Sequence, residues 1–252
     1  MIHVRRSPCP KKLQKEGPVW LKDLRQAKTD CERIKNDPNS TEKEKAEAER
    51  SFKAAQGKYN HSTIKRALQT MFNGGVVSKS TKCAYCETAI ESPKGQDIEH
   101  FYPKAVYLDK TFDWDNLLIA CVSCNEEFKG DDFPVDPEGR PLLINPTSEE
   151  PADHLSFLFD VETLESHVEG KDEMGRITVD FFALNGFRST DKKGRSLAAV
   201  RQSVVLGWIT MALLFQKEAD LDKRKDLLEE FQGLCHPKTQ YAAFARAIHR
   251  AL

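Results

Sequence analysis

The chain has 252 residues, 31% charged and 39% hydrophobic, long enough for a sizeable core and without a long apolar run that would mark a membrane span. Its first residues, Met1-Ile2-His3-Val4-Arg5-Arg6, lack the apolar stretch of a signal peptide, so its seven cysteines point to a cytoplasmic, metal-binding chain rather than a disulfide-bonded one. The net charge of −1 hides a split: residues 1–82 carry 19 Lys and Arg against 9 Asp and Glu, whereas residues 126–173 carry 3 against 15.

Trp20, Leu24, Ala27, Cys31 and Ile34 recur at helical steps of three and four. Asp37-Pro38-Asn39-Ser40 interrupts them. Thr41, with Glu44 three residues on, predicts a capped helix start, and Ala48, Phe52, Ala55 and Tyr59 continue the second stripe. Ile64, Leu68 and Met71 predict a third short helix, ended by Asn73-Gly74-Gly75. Residues 1–79 therefore read as a basic helical arm, able to lie along a phosphate backbone or simply to present solvated helix faces.

Residues 80–133 read differently. Strands are predicted over Gln96–Phe101 and Asn116–Ala120, followed by a helix over Val122–Lys129, a ββα order. Residues 134–252 begin with a proline-rich passage (Pro134, Pro137, Pro141, Pro146, Pro151), then a mixed stretch with a strand over Ser156–Val161 and an ambiguous Val179–Leu184. From Ser196 onward Leu197, Val200, Val204, Trp208, Met211 and Phe215 mark a helix, Leu227, Phe231 and Leu234 a second, and Tyr241, Phe244, Ile248 and Leu252 a third. The expected fold class is α+β: a mostly helical chain around a central zinc-stapled ββα-metal module.

The chemistry concentrates in that module. Cys83-x-x-Cys86 and Cys121-x-x-Cys124 enclose 34 residues, and four thiolates in two close pairs suit one tetrahedral structural Zn²⁺. Inside the bracket stand Glu99-His100 and Asp115-Asn116, and Asn125 follows it. A neutral imidazole at His100 can take a proton from an attacking water, because its pKa lies near neutrality. Glu99 and Asn125 offer hard oxygens to an Mg²⁺ or Mn²⁺ ion, with Asp97 a rival or auxiliary ligand on the same strand face. Asn116 is placed to tie the turn that holds the His100 loop.

Cys83-x-x-Cys86, Glu99-His100, Asp115-Asn116, Cys121-x-x-Cys124-Asn125 and Lys129-Gly130 together resemble the HNH endonuclease family in its zinc-bound His-Asn-Asn form. The resemblance implies that His100 is the general base, Glu99 and Asn125 hold the catalytic metal, and Asn116 completes the catalytic set in a structural role. It also implies phosphate contacts by Lys129 and Lys104, although Lys129 stands one residue later than the usual position. A wider likeness runs through Lys82–Glu87, Ile98–Lys104, Leu143–Pro146, Pro151–Leu155 and Ala183–Gly186, which is similar to the HNH subunit of Septu-type and retron-linked antiphage systems. That likeness implies an AAA/ABC-type ATPase partner, nucleic acid as substrate with DNA ahead of RNA, and no membrane. Two other readings stand beside it: a zinc-stapled nucleic-acid-binding module without catalysis, and an adaptor that docks on the ATPase through the acidic 126–173 segment and the C-terminal helices.

Overall fold

The computed structural model describes residues 1–160, 162–163, 165–187 and 197–251. Val161, Ser196 and Leu252, which the sequence places in elements, lie outside the described residues. The fold is α+β and mostly helical, with three small two-stranded sheets among the described residues. The chain divides into two compact units that interleave along the sequence. One comprises residues 7–68 and 98–118; the other comprises residues 1–6, 69–97 and 119–252.

The first unit is built on a helical hairpin, α1 (Lys11–Asn36) and α2 (Glu42–Gln56). The start of α2 forms as the sequence predicts. The Thr41 hydroxyl accepts from the Glu44 amide, and the Glu44 carboxylate accepts from the Thr41 amide at 2.7 Å. The two helices run antiparallel, since Lys35 pairs with Glu49 while Asp23 pairs with Lys58. Leu24, Cys31, Ala48 and Ala55 are buried in this unit. Residues 98–118 pack on α1: Trp20 meets Phe112 edge to face at 5.6 Å, and the Trp114 indole donates to the Ser7 carbonyl. Trp114 is therefore a buried anchor.

The second unit carries a minimal hairpin of β1 (Thr81–Lys82) and β2 (Ala89–Ile90) in register Thr81 to Ile90. Tyr85, at its tip, is fully buried and stacks on Phe182 with ring centroids 4.2 Å apart. Helix α3 (Ser62–Phe72) and strands β3 (Gln96–His100) and β4 (Leu117–Cys121) each continue from one unit into the other, and β3 pairs with β4. A π-helix, Ser123–Lys129, follows β4 where the sequence predicts an α-helix. Wide turns of this kind are rare and often occur at functional sites.

A short helix α4 (Pro151–His154) leads into β5 (Leu155–Phe159), which pairs antiparallel with β6 (Ser166–Gly170). Helix α5 (Glu173–Phe181) crosses this hairpin at Gly170 and Gly175, where a Cβ on either glycine would collide with backbone atoms. Helices α6 (Leu197–Lys217), α7 (Leu221–Leu234) and α8 (Ala242–Ala251) complete the unit. The sequence reading of no long apolar run is corrected here. Ala198–Lys217 has a mean hydropathy of 1.5 and would suffice, by length and composition, to cross a membrane. Val205, Trp208, Ile209, Ala212 and Phe215 form its buried face, and the buried Arg201 donates to the carbonyls of Leu184 and Ser166.

Candidate metal and catalytic sites

The four cysteines converge. The knuckle Cys83–Cys86 is closed by hydrogen bonds from the Glu87 amide to the Cys83 carbonyl and from the Cys83 amide to the Thr88 carbonyl. The Ala84 amide donates to the Ile119 carbonyl, which ties the knuckle to the strand leading into Cys121. All four sulfurs lie within 4.8 Å of one another, and Cys86 and Cys121 are 3.8 Å apart. Sulfurs at about 2.3 Å from a tetrahedral zinc stand about 3.8 Å from each other, so spacing and donor set both fit Zn²⁺. Burial pushes the Cys83 and Cys124 thiols well up, so a cation there would supply the charge that thiolates need.

Glu87 closes the knuckle in the left-handed region, at φ +59°. Its buried carboxylate accepts from the Lys82 ammonium at 2.6 Å and from the Met1 amino group at 2.9 Å. Burial alone would raise its pKa, but the two cations override that and hold it at about 2. The sequence reading missed this trio because charged residues are ordinarily placed at the surface. Two opposite charges flanking a cysteine pair were the available signal.

In the first unit, Nε2 of the buried His100 donates to the Thr111 carbonyl at 2.9 Å. A carbonyl only accepts, so Nε2 carries the hydrogen and Nδ1 is the basic atom of the neutral ring. Tyr59 packs edge-on against the imidazole, with centroids 4.5 Å apart, and the Lys104 ammonium lies 5.7 Å from the centre of the Tyr59 ring. Tyr59 reads from the sequence only as the end of a helical stripe. Asn116 pins the loop after His100: its Oδ1 accepts from the Tyr102 amide at 2.7 Å, and its Nδ2 donates to the carbonyls of Tyr102 and Lys110. Glu99, next to His100, is also buried.

In the second unit, Asn125 sits in the π-helix, and its Nδ2 donates to Asp97 at 3.4 Å. Asn125 Oδ1 is thus the amide atom left to meet a cation. Lys129 is only 2% exposed, with its ammonium 5.6 Å from the Phe133 ring. That burial gives it little of the open surface that a phosphate contact requires. His154 pairs with Asp172 at 2.6 Å, while Asp172 also caps α5 by accepting from the Gly175 amide. Among the described residues, the four cysteines are the one group of three or more His, Cys, Asp or Glu placed to hold a metal.

Fold and site together define a class: an α+β protein with a four-cysteine clamp able to hold a structural metal such as zinc, bracketing a histidine loop. No protein-family model matches the chain, and no solved structure matches it significantly. Curated relatives do. The Septu protein PtuB of Bacillus mycoides (strain KBAB4) is 27% identical over 197 residues, 67% of this chain and 63% of the relative. The Septu protein PtuB of Bacillus thuringiensis is 35% identical over 123 residues, 48% of this chain and 41% of the relative. The chain thus spans less than two thirds of either relative's length. Over those stretches it is similar to the PtuB proteins, and the Septu-type resemblance read from its motifs is borne out.

Proposed function

We propose that this chain is a metal-dependent HNH-type endonuclease that hydrolyses phosphodiester bonds in nucleic acid, with DNA the first substrate to try. The observation that carries this reading is the state of His100. The Thr111 carbonyl holds the proton on Nε2, the Asn116 side chain fastens the following loop, and Nδ1 is therefore the basic ring atom, the one that would take a proton from water. The motif assigns the catalytic metal to Glu99 and Asn125. Their carboxylate and amide oxygens are the hard donors that Mg²⁺ or Mn²⁺ prefers. When bound, such an ion supplies Lewis-acid stabilisation of the charge developing on the phosphate oxygens. The nuclease module is assigned to residues 80–133.

The chain's place in an antiphage assembly with an AAA/ABC-type ATPase belongs to the same proposal. It is supported by the likeness to the Septu proteins and by the split between the basic first third and the acidic remainder. The test is a cleavage assay with Mg²⁺ or Mn²⁺ on plasmid, phage DNA and tRNA, with and without the co-expressed ATPase. His100→Ala is expected to lower the cleavage rate by about 10²–10⁴-fold while leaving fold and zinc content intact. Activity within a few-fold of wild type in the purified variant rules the assignment out. Binding without cleavage under every condition favours the non-catalytic module.

A further inference from the structure

A cavity of about 280 Å³ opens in the second unit, far along the chain from the histidine loop, with β5 and α8 among its walls. Three cationic side chains line it, Lys171, Arg246 and Arg250, against one acid, Glu150. Leu155 and Phe157 supply apolar wall. The Glu150 carboxylate is already engaged, accepting from the Ala152 amide at the start of α4.

The cations lack a carboxylate to neutralise them. Among the described residues, no carboxylate lies within 4.0 Å of Lys171, Arg246 or Arg250. Two of them are instead fastened by backbone: Lys171 donates to the Ala152 carbonyl, and Arg246 donates through Nε to the Cys235 carbonyl at 3.0 Å. The Arg246 bond uses Nε alone. The local composition makes the cluster stand out, because Lys171 is one of only three bases in residues 126–173. Of the other two, Arg140 is paired with Asp136 and Glu138, and Lys129 is buried near Phe133. Gathering like charges around a concave space costs free energy unless an anion enters it.

We infer that this cavity binds a small phosphorylated ligand of nucleoside-monophosphate size, its phosphate held by Arg246, Arg250 and Lys171 and its body against Phe157. Arginine forks match phosphate oxygens in pairs, and lysine adds a point charge. The volume lies just below the usual range for small-ligand pockets, about 300–1,000 Å³, which favours a mononucleotide over a larger ligand. Phe157 offers a ring face or edge to a planar base, and Phe244 braces it edge to face at 5.2 Å. The inference is independent of the nuclease reading and requires neither His100 nor the catalytic metal.

Isothermal titration of the full-length, zinc-loaded protein tests it with three probes: AMP, adenosine and inorganic phosphate. One saturable AMP site is expected, with adenosine at least tenfold weaker. Arg250→Gln and Lys171→Gln, both at exposed positions, are each expected to weaken AMP about tenfold or more, with thermal unfolding used to confirm that each variant is folded. Arg140→Gln, a cation away from the cavity, is expected to leave binding unchanged. Absence of AMP binding at millimolar concentration overturns the site, as does binding that neither cavity variant weakens. AMP binding no tighter than inorganic phosphate overturns the nucleotide assignment.

Discussion

Tyr59 offers a residue-scale test of how His100 is held. An edge-to-face ring contact contributes about 0.5–1.5 kcal/mol, enough to bias the imidazole toward one orientation. In the cleavage assay Tyr59→Phe should stay near wild type, since the ring edge remains. Tyr59→Ala should lower kcat about tenfold with KM little changed. A wild-type kcat in the alanine variant would show that the contact only fills space. Glu87 makes a stability prediction that needs no activity. Its carboxylate is held at about 2, below its ordinary 4.5, so its contribution is fully present above about pH 4.5 and fades as pH falls toward 2. Glu87→Gln leaves the Lys82 and Met1 charges buried without their counter-ion and should cost about 3–5 kcal/mol at pH 7. In urea unfolding at pH 7 and pH 3, the gap between wild type and variant should shrink at the lower pH. A gap unchanged between the two excludes the ion-pair account.

Among elements, the knuckle hairpin depends most on metal. Strands β1 and β2 have two residues each, too few to hold a hairpin by backbone pairing alone. Cys83→Ser or Cys124→Ser should therefore release zinc and loosen residues 81–90 and the π-helix, seen as faster amide exchange there. Wild-type protein never exposed to chelator should carry about one zinc per chain; much less contradicts the clamp. The same hairpin shows where sequence reading stops. The helices of the first third and of the C-terminal region were legible, because each repeats apolar residues at helical spacing and α2 carries its own capping signal. β1 and β2 are too short to show alternation. In β6, Ser-His-Val-Glu-Gly has a single buried residue, Val168, so no period emerges; its pairing with β5 is a long-range choice. The cysteine clamp was legible as spacing. The partners that fix His100, Thr111 and Tyr59, were not, since a backbone carbonyl and a ring edge leave no motif.

Across the whole molecule, charge distribution yields the partner prediction. Glu149 and Glu150 belong to the acidic segment but serve local structure, accepting from the amides of Asn145 and Ala152. Exposed acids such as Glu162 and Glu169 are better placed to meet a basic partner. Reversing both to lysine should weaken association with the co-expressed ATPase, and more at low salt, because exposed charges are screened beyond about 10 Å at 0.1 M. Co-elution unaffected by the reversal at low and high salt argues against this surface. A monomer beside the ATPase at micromolar concentration, cutting equally well alone, removes the partner from the proposal.

The interleaving of the two units also has a consequence for the order of events at the ribosome. The Val4 amide is bonded to the Pro146 carbonyl, and Met1, Ile2 and Val4 are buried in the same unit. At about 5–20 residues per second, the nascent chain runs on for roughly 7–30 s before Pro146 is made. Until then Val4 lacks this backbone partner, whereas the α1–α2 hairpin is complete within the first 56 residues and can pair as it emerges. Vectorial synthesis therefore favours the hairpin first and leaves the knuckle, with the Glu87 charge cluster beneath it, to close late.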